Sequence, residues 1–161
     1  MTGMIPNIEW PPLQPLAWDE DSWCWSAEAA SLPALWPTPF WLAVLPAESD
    51  DDATPEPSPG RRAAVDYLAA SGEAVRAAAF EAIRSRGRRF GAASDAELAG
   101  RLRLSAVHVG GEERDGLALV GLDFHCDEYE HGVGVVLRRD RVVRLGVAEV
   151  AMDLEEAEAD G

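Results

Sequence analysis

The spacing of apolar residues changes near residue 104, and this change constrains the fold more than any other feature of the sequence. Before it, Val75, Ala79 and Ile83 recur at the spacing of one helix face. After it, apolar residues alternate, as in a strand whose buried face carries Ala118, Val120, Leu122, Phe124 and Cys126. The chain is therefore predicted to pass from helices into strands.

Capping signals divide the helical region into three helices. Ser58 can cap the first one, and Gly72 interrupts it. Ser94 and Glu97 have the three-residue spacing of a capping box, in which each side chain binds the other residue's backbone N–H. These signals predict helices over 60–70, 73–87 and 95–103.

The alternating region reads as consecutive strands joined by short polar links. A charged turn over 110–116, an acidic loop over 127–131 and a polar turn over 138–141 separate them. Short links between consecutive strands favour an antiparallel meander. The predicted strands cover 104–109, 117–126, 132–137 and 142–147.

The N-terminal segment 1–46 contains all six tryptophans and eight of the prolines. Proline excludes long helices here, so we expect two strands, over 22–29 and 40–45. Tryptophan-rich segments most often build a core, because each ring buries a large area. The alternative is an exposed aromatic platform that binds a sugar or a peptide.

These patterns together predict one α+β domain over 1–161. An antiparallel sheet, made of the C-terminal meander and the N-terminal strands, has a layer of two to three helices on one face. The predicted parts are Trp-rich strands over 1–46, an acidic proline-rich linker over 47–59, helices over 60–103, a meander over 104–150 and an acidic tail over 151–161.

The net charge of −15 favours some classes of partner and disfavours others. Residues 1–60 hold ten acids and no base, and residues 111–161 hold fourteen acids and five bases, all of them arginine. This field repels nucleic acid and anionic membranes and attracts a basic protein. Residues 1–6 lack the pattern of a secretory signal, so we expect a cytoplasmic protein with two reduced cysteines.

The segment 124–135 is the richest in reactive side chains. A zinc site would need His125, His131 and one of Cys126, Asp127 or Glu130 as ligands. The spacing of these residues fits no compact zinc motif. His125 and Cys126 would also face opposite sides of a continuing strand. A thiol enzyme would pair Cys126 with His125 or His131, and Glu130 with His131 would form an acid/base pair. The favoured interpretation is a turn in which Gly132 takes a positive φ and Gly134 permits close approach. We therefore expect no cofactor, no metal and no catalytic centre.

The same segment carries a resemblance. Its phenylalanine strand, acidic loop ending in Glu130-His131-Gly132, and following Gly134-Val135 resemble a bacterial domain family of unknown function, over about 94–147. Asp127-Glu128-Tyr129 stands where that family usually has a Trp-Asp pair. In size, acidity and α+β build, such domains are similar to immunity proteins, which neutralise secreted bacterial toxins.

The leading hypothesis is a non-catalytic binding protein, an immunity protein whose acidic surface docks on a basic toxin. Its rivals are a metal- or thiol-dependent enzyme centred on His125, Cys126 and His131, and a ligand-binding regulatory domain that uses the tryptophans. The predicted partner contacts are Asp127, Glu128, Glu130, His131, Asp19, Glu20 and Asp21.

Overall fold

The fold is a single mixed sheet with helices against it, as seen in a computed structural model that describes residues 16–19, 24–45, 58–86, 94–126, 129–152 and 154. These residues form seven strands, two α-helices and one 3₁₀ helix, η1. The elements in chain order are β1 (Ala17–Asp19), β2 (Cys24–Ala30), β3 (Phe40–Val44), α1 (Pro59–Arg86), α2 (Asp95–Arg101), β4 (Leu102–Arg114), β5 (Leu117–Cys126), β6 (Tyr129–Arg138), β7 (Arg141–Gly146) and η1 (Ala148–Met152).

The strands lie side by side in the order in which they occur in the chain. Five of the six neighbouring pairs are antiparallel, and β3 pairs with β4 in parallel, with Trp41 opposite Ala106. The predicted α+β class with a mostly antiparallel sheet is confirmed. The parallel pair departs from the predicted all-antiparallel sheet, and it follows from the helical crossover, since a parallel pair needs a long connection between its strands.

Helix α1 consists of the first two predicted helices, joined across a kink. It contains one non-helical residue, Ser71 (φ −127°, ψ 27°), next to the Gly72 at which a break was predicted. A Cβ on Gly72 would clash with the backbone of Leu35, so the helix needs glycine where it packs against the segment between β2 and β3. The chain kinks and then resumes its helix, because Leu68 and Val75 on either side are both buried in the same core.

A buried arginine fastens the start of α1 to the end of β4. Arg61 is only 4% exposed and forms an ion pair with Glu113, which also accepts a hydrogen bond from the Ser58 hydroxyl. The second guanidinium nitrogen of Arg61 donates to the Gly111 carbonyl at 3.3 Å. These contacts hold residues that were predicted to be a turn, so β4 continues to Arg114.

The core between α1 and the sheet contains three aromatic rings that meet edge-on or tilted. The ring of Trp36 lies 6.1 Å from that of Phe80 on α1 and 5.6 Å from that of Phe124 on β5, measured between centroids. Phe80 and Phe124 are 6.2 Å apart. Trp25 also lies in this core, with its ring 5.4 Å from that of Trp18. These tryptophans stabilise the fold by burying ring area.

The opposite face of the sheet is covered in part by the C-terminal segment. Helix η1 crosses β5 and β6 where both strands carry glycine: a Cβ on Gly121 would overlap the Ala151 carbonyl, and one on Gly134 would lie 2.5 Å from the Val147 oxygen. Ala151 is buried and Leu154 is 6% exposed. The acidic tail predicted from residue 151 therefore begins with residues that pack against the sheet.

Smaller features follow the sequence closely. Ser94 accepts a hydrogen bond from the Glu97 N–H, and Glu97 accepts one from the Ser94 N–H, which confirms the capping box. Helix α2 ends at Arg101 instead of 103, because Leu102 already pairs with Cys126 in the sheet. Strand β5 has its predicted bounds, and Gly132 has the predicted positive φ of 63°.

We expect Gly121→Ala to lower the free energy of unfolding by about 2 kcal/mol, because the new methyl group must displace the backbone of η1. Gly100→Ala is the matched control. Nothing lies within 4 Å of its added Cβ, and alanine at this exposed helical position should stabilise by about 0.5 kcal/mol. Urea unfolding of both variants gives the comparison, and equal stabilities would show that η1 does not press on β5.

Candidate functional site

The predicted contact residues that the structure describes lie at two separate places. Glu130 and His131, near the start of β6, have side chains 89% and 65% exposed, with 3.7 Å between the Glu130 Oε1 and the His131 Nε2. Asp19 lies on β1, at the opposite end of the strand order. The other four residues, Asp127, Glu128, Glu20 and Asp21, fall outside the described residues.

Asp19 is more enclosed than the other predicted contacts of described exposure. It is half-buried and lies directly opposite Cys24 in the β1–β2 pair. With β2 to β5 between β1 and β6, about 24 Å separates the two places at a strand spacing of about 4.8 Å. The exposed pair Glu130 and His131 is therefore the better candidate for a binding surface.

The proposed thiol and imidazole of a catalytic centre do not meet. Cys126 is 1% exposed and belongs to the core beneath α1, whereas His125 is exposed on the other face of the same strand. This arrangement follows from the alternation of side chains along a strand. Within the described ranges, no group of three or more His, Cys, Asp or Glu side chains has an arrangement that could hold a metal ion.

The second cysteine, Cys24, is also unsuited to nucleophilic chemistry. Its thiol is 2% exposed, and burial raises its pKa to about 11, with the negative charge of Asp19 acting in the same direction. Both cysteines are free thiols. A thiol is nucleophilic only as the thiolate, so this environment suppresses its reactivity.

A buried histidine that the sequence did not single out lies on the face opposite α1. His108 is 8% exposed and its ring lies 5.7 Å from that of Trp41 on β3. Its Nε2 has no hydrogen-bond partner in the described part of the chain. Burial lowers the pKa of His108, so the imidazole is neutral near pH 7.

A half-buried carboxylate occupies the same face. Asp123 lies opposite Ala106, two pairs along the β4–β5 ladder from His108 and Gly121. Burial raises the pKa of Asp123, while the charge of His125 and a hydrogen bond from Ser105 act in the opposite direction. His108 and Asp123 are thus two titratable side chains whose surroundings favour their neutral forms.

A β-bulge explains why simple alternation could not identify this face. Leu104 pairs with Phe124 and Ala106 with Asp123, so Ser105 is an extra residue in β4. Strict alternation would put His108 on the same face as Leu104. The extra residue turns His108 to the other face, which it shares with Asp123.

The two kinds of charge are distributed differently between surface and interior. Every carboxylate whose exposure the structure describes is exposed, except for Asp19 and Asp123, which are half-buried. By contrast, Arg61 and Arg138 are buried, and Arg138 donates to the Leu117 carbonyl. Arg76 and Arg84 are half-buried. Arg76 donates to the Leu35 carbonyl, and Arg84 pairs with Asp95. Among the residues whose exposure is described, exposed carboxylates therefore outnumber exposed arginines by a larger ratio than the composition alone gives.

Comparison with known proteins gives no relative: no protein-family model, curated protein or solved structure matches the chain. The resemblance drawn from residues 94–147 stays a prediction. Among the described helices, none combines the length and apolar character that crossing a membrane requires.

We expect neither thiol to react with Ellman's reagent in the native protein at pH 8, because both cysteines are buried and only about one Cys24 thiol in a thousand is ionised at a pKa of about 11. In urea both should react within minutes. A native thiol that reacts rapidly would contradict this and revive the thiol-centred alternative, and Cys24→Ser would then show which cysteine it is.

Burial of neutral His108 should make the protein less stable in acid. Because its folded pKa lies below the unfolded value of 6.5, the unfolded chain binds more protons below that pH, and stability falls as pH decreases toward the folded pKa. The slope from one group is at most about 1.4 kcal/mol per pH unit. Urea unfolding at pH 7.5 and pH 5.5 measures the loss.

The matched variants are His108→Gln, which should reduce this loss, and His131→Gln at an exposed histidine, which should leave it unchanged. Asp123 has the opposite sign, because a raised carboxyl pKa favours folding as pH falls toward 3.8, but it is present in all three proteins. Equal losses in the wild type and His108→Gln would show that His108 does not control acid stability.

Proposed function

We propose that this chain is a non-catalytic, cytoplasmic binding protein whose acidic surface docks on a basic protein. The observation that supports it best is the distribution of charge. The net charge is −15, all the carboxylates of described exposure except Asp19 and Asp123 are exposed, and several arginines are engaged in contacts within the fold. Such a surface attracts a basic partner over a distance and orients its approach.

The acidic segment 127–130 is our choice for the centre of this surface. Glu130 projects into solvent with 89% of its side chain exposed, and Asp127 and Glu128 precede it in sequence. The segment was predicted to be a loop up to residue 131, but β6 already begins at Tyr129, which pairs with Cys126. Strand β5 is buried along most of its length, so the start of β6, which carries Glu130, is held against a buried strand.

The partner in this proposal is a toxin that the chain neutralises as an immunity protein. Toxins that cut nucleic acid need basic surfaces to hold phosphate groups, and an acidic inhibitor can occupy such a surface. The small α+β fold and the acidity agree with this role by analogy.

The two rival functions gain little support from the geometry. Cys126 and His125 lie on opposite faces of β5, which separates the proposed catalytic pair. Trp25 and Trp36, 1% and 4% exposed, are core residues and offer no platform to a ligand. Binding through charge therefore remains the function that the described residues support best.

Affinity capture from an extract of the native host at low salt, with stepwise salt elution and mass spectrometry, tests the proposal. We expect one basic protein to elute at a defined salt step, because screening weakens attraction between exposed charges. Reversing Glu128 and Glu130 to arginine should then slow its association at least about tenfold and flatten the salt dependence of the rate.

The matched control reverses Glu73 and Glu81, which are exposed on α1 and lie on the other side of the sheet. It changes the net charge equally, so it measures the effect of total charge alone. Capture of no basic protein would contradict the proposal. If both double variants slowed association equally, the choice of segment 127–130 would be contradicted.

A further inference from the structure

Two large apolar side chains stand out on the described surface, and they flank one short helix. Met152, the last residue of η1, is 59% exposed, and Val147, just before η1, is 37% exposed. Other large apolar side chains with described exposure are buried or half-buried. Exposed methionine is common where proteins bind partners, because its flexible thioether fits varied surfaces.

The geometry of η1 accounts for this exposure. Residues three apart in a 3₁₀ helix lie on the same side. Ala148 and Ala151 face the glycines of β5 and β6, so Glu149 and Met152 face outward, both exposed. Val147 and Val150 lie along the flank. Because the backbone of η1 packs closely on Gly121 and Gly134, the outward side chains have a fixed position.

These outward side chains line a shallow depression. The depression has a volume of about 440 Å³, is open to solvent and is lined by Val147, Glu149, Val150 and Met152. We call these four residues the η1 patch. It combines apolar side chains with one carboxylate, as a binding surface with an apolar centre and a polar rim does.

The start of η1 packs against β6. A Cβ on Gly132 would lie 3.0 Å from the Cβ of Ala148, so the residue after His131 touches the start of η1. Glu130 and His131 are exposed and lie within two residues of this contact, and Glu149 lies within the patch. Acidic side chains are thus found in the patch and near the start of η1.

We propose that the η1 patch receives an apolar side chain that arginine or lysine residues flank on a basic protein. This inference rests on the proposed function and names the place where the partner is anchored. The apolar side chain enters the depression against Met152 and Val147, while the flanking bases meet Glu130 and Glu149. A few buried apolar contacts inside a polar rim commonly carry most of the binding energy.

Charge selects this occupant over the others. A second copy would bring another −15 and, in a two-fold dimer, would place Glu130 and Glu149 near their own equivalents. An anionic membrane is repelled for the same reason. The chain's own end, with Asp153, Glu155 and Glu156, carries the sign that Glu149 disfavours.

A synthetic peptide with one leucine between runs of lysine serves as the probe, and the same peptide with alanine in place of leucine is its control. The chain has three methionines, so NMR of protein labelled with [¹³C-methyl]methionine gives few signals. The signal that disappears in Met152→Ala is the one from the patch. We expect the leucine peptide to shift the Met152 signal at low salt. The alanine peptide should bind about fivefold more weakly.

Protein variants complete the test. Met152→Ala and Glu149→Gln should each weaken the leucine peptide about three- to fivefold, and Glu81→Gln on α1 should leave its affinity unchanged. If both peptides bind equally and the Met152 signal stays still, the inference is overturned and the acidic-surface proposal stands. Binding of neither peptide would overturn both. A Met152 shift on raising the protein concentration alone would assign the patch to a second copy and overturn the inference.

Discussion

Strand β5 is enclosed on both of its faces, and this double burial determines how the rest of the chain can be arranged. On one side Val120, Leu122 and Phe124 pack under α1, and on the other Leu119 and Gly121 lie beneath the C-terminal segment. Hydrophobic burial on this scale dominates the favourable free energy of folding. It requires a long helix on one face and a close-fitting short segment on the other.

The close fit explains why so small an element as η1 has a fixed place. A five-residue 3₁₀ helix cannot form alone, because its hydrogen bonds are poor and few. The glycines of β5 and β6 let its backbone approach the sheet, and Leu154 adds an apolar contact with Leu119 and Val136. Glu149, the one polar residue of η1, then faces solvent.

Local signals in the sequence predicted local structure well. The capping box, the bounds of β5 and the positive φ of Gly132 each depend on a few neighbouring residues, and the structure has all three. Opposite orientations of His125 and Cys126 also followed from alternation.

Features that depend on distant contacts could not be predicted in this way. The Ser105 bulge, which puts His108 on the same face as Asp123, leaves no mark in the pattern of apolar residues. The η1 patch was hidden because the sequence predicted a meander up to residue 150 and an acidic tail from 151, with no helix between them. Its packing depends on glycines of β5 and β6, and the sequence alone does not show which segment packs on them.

The parallel pairing of β3 with β4 has a consequence for the order in which the protein folds. Trp41 and Ala106 are about 65 positions apart in the chain, so closing that loop costs about 4 kcal/mol of chain entropy from its logarithmic term. The hairpins of β4 to β7 close much shorter loops. Loop closure alone therefore favours forming the β4–β7 hairpins before the β3–β4 pair, and during synthesis β3 cannot pair with β4 until β4 has left the ribosome.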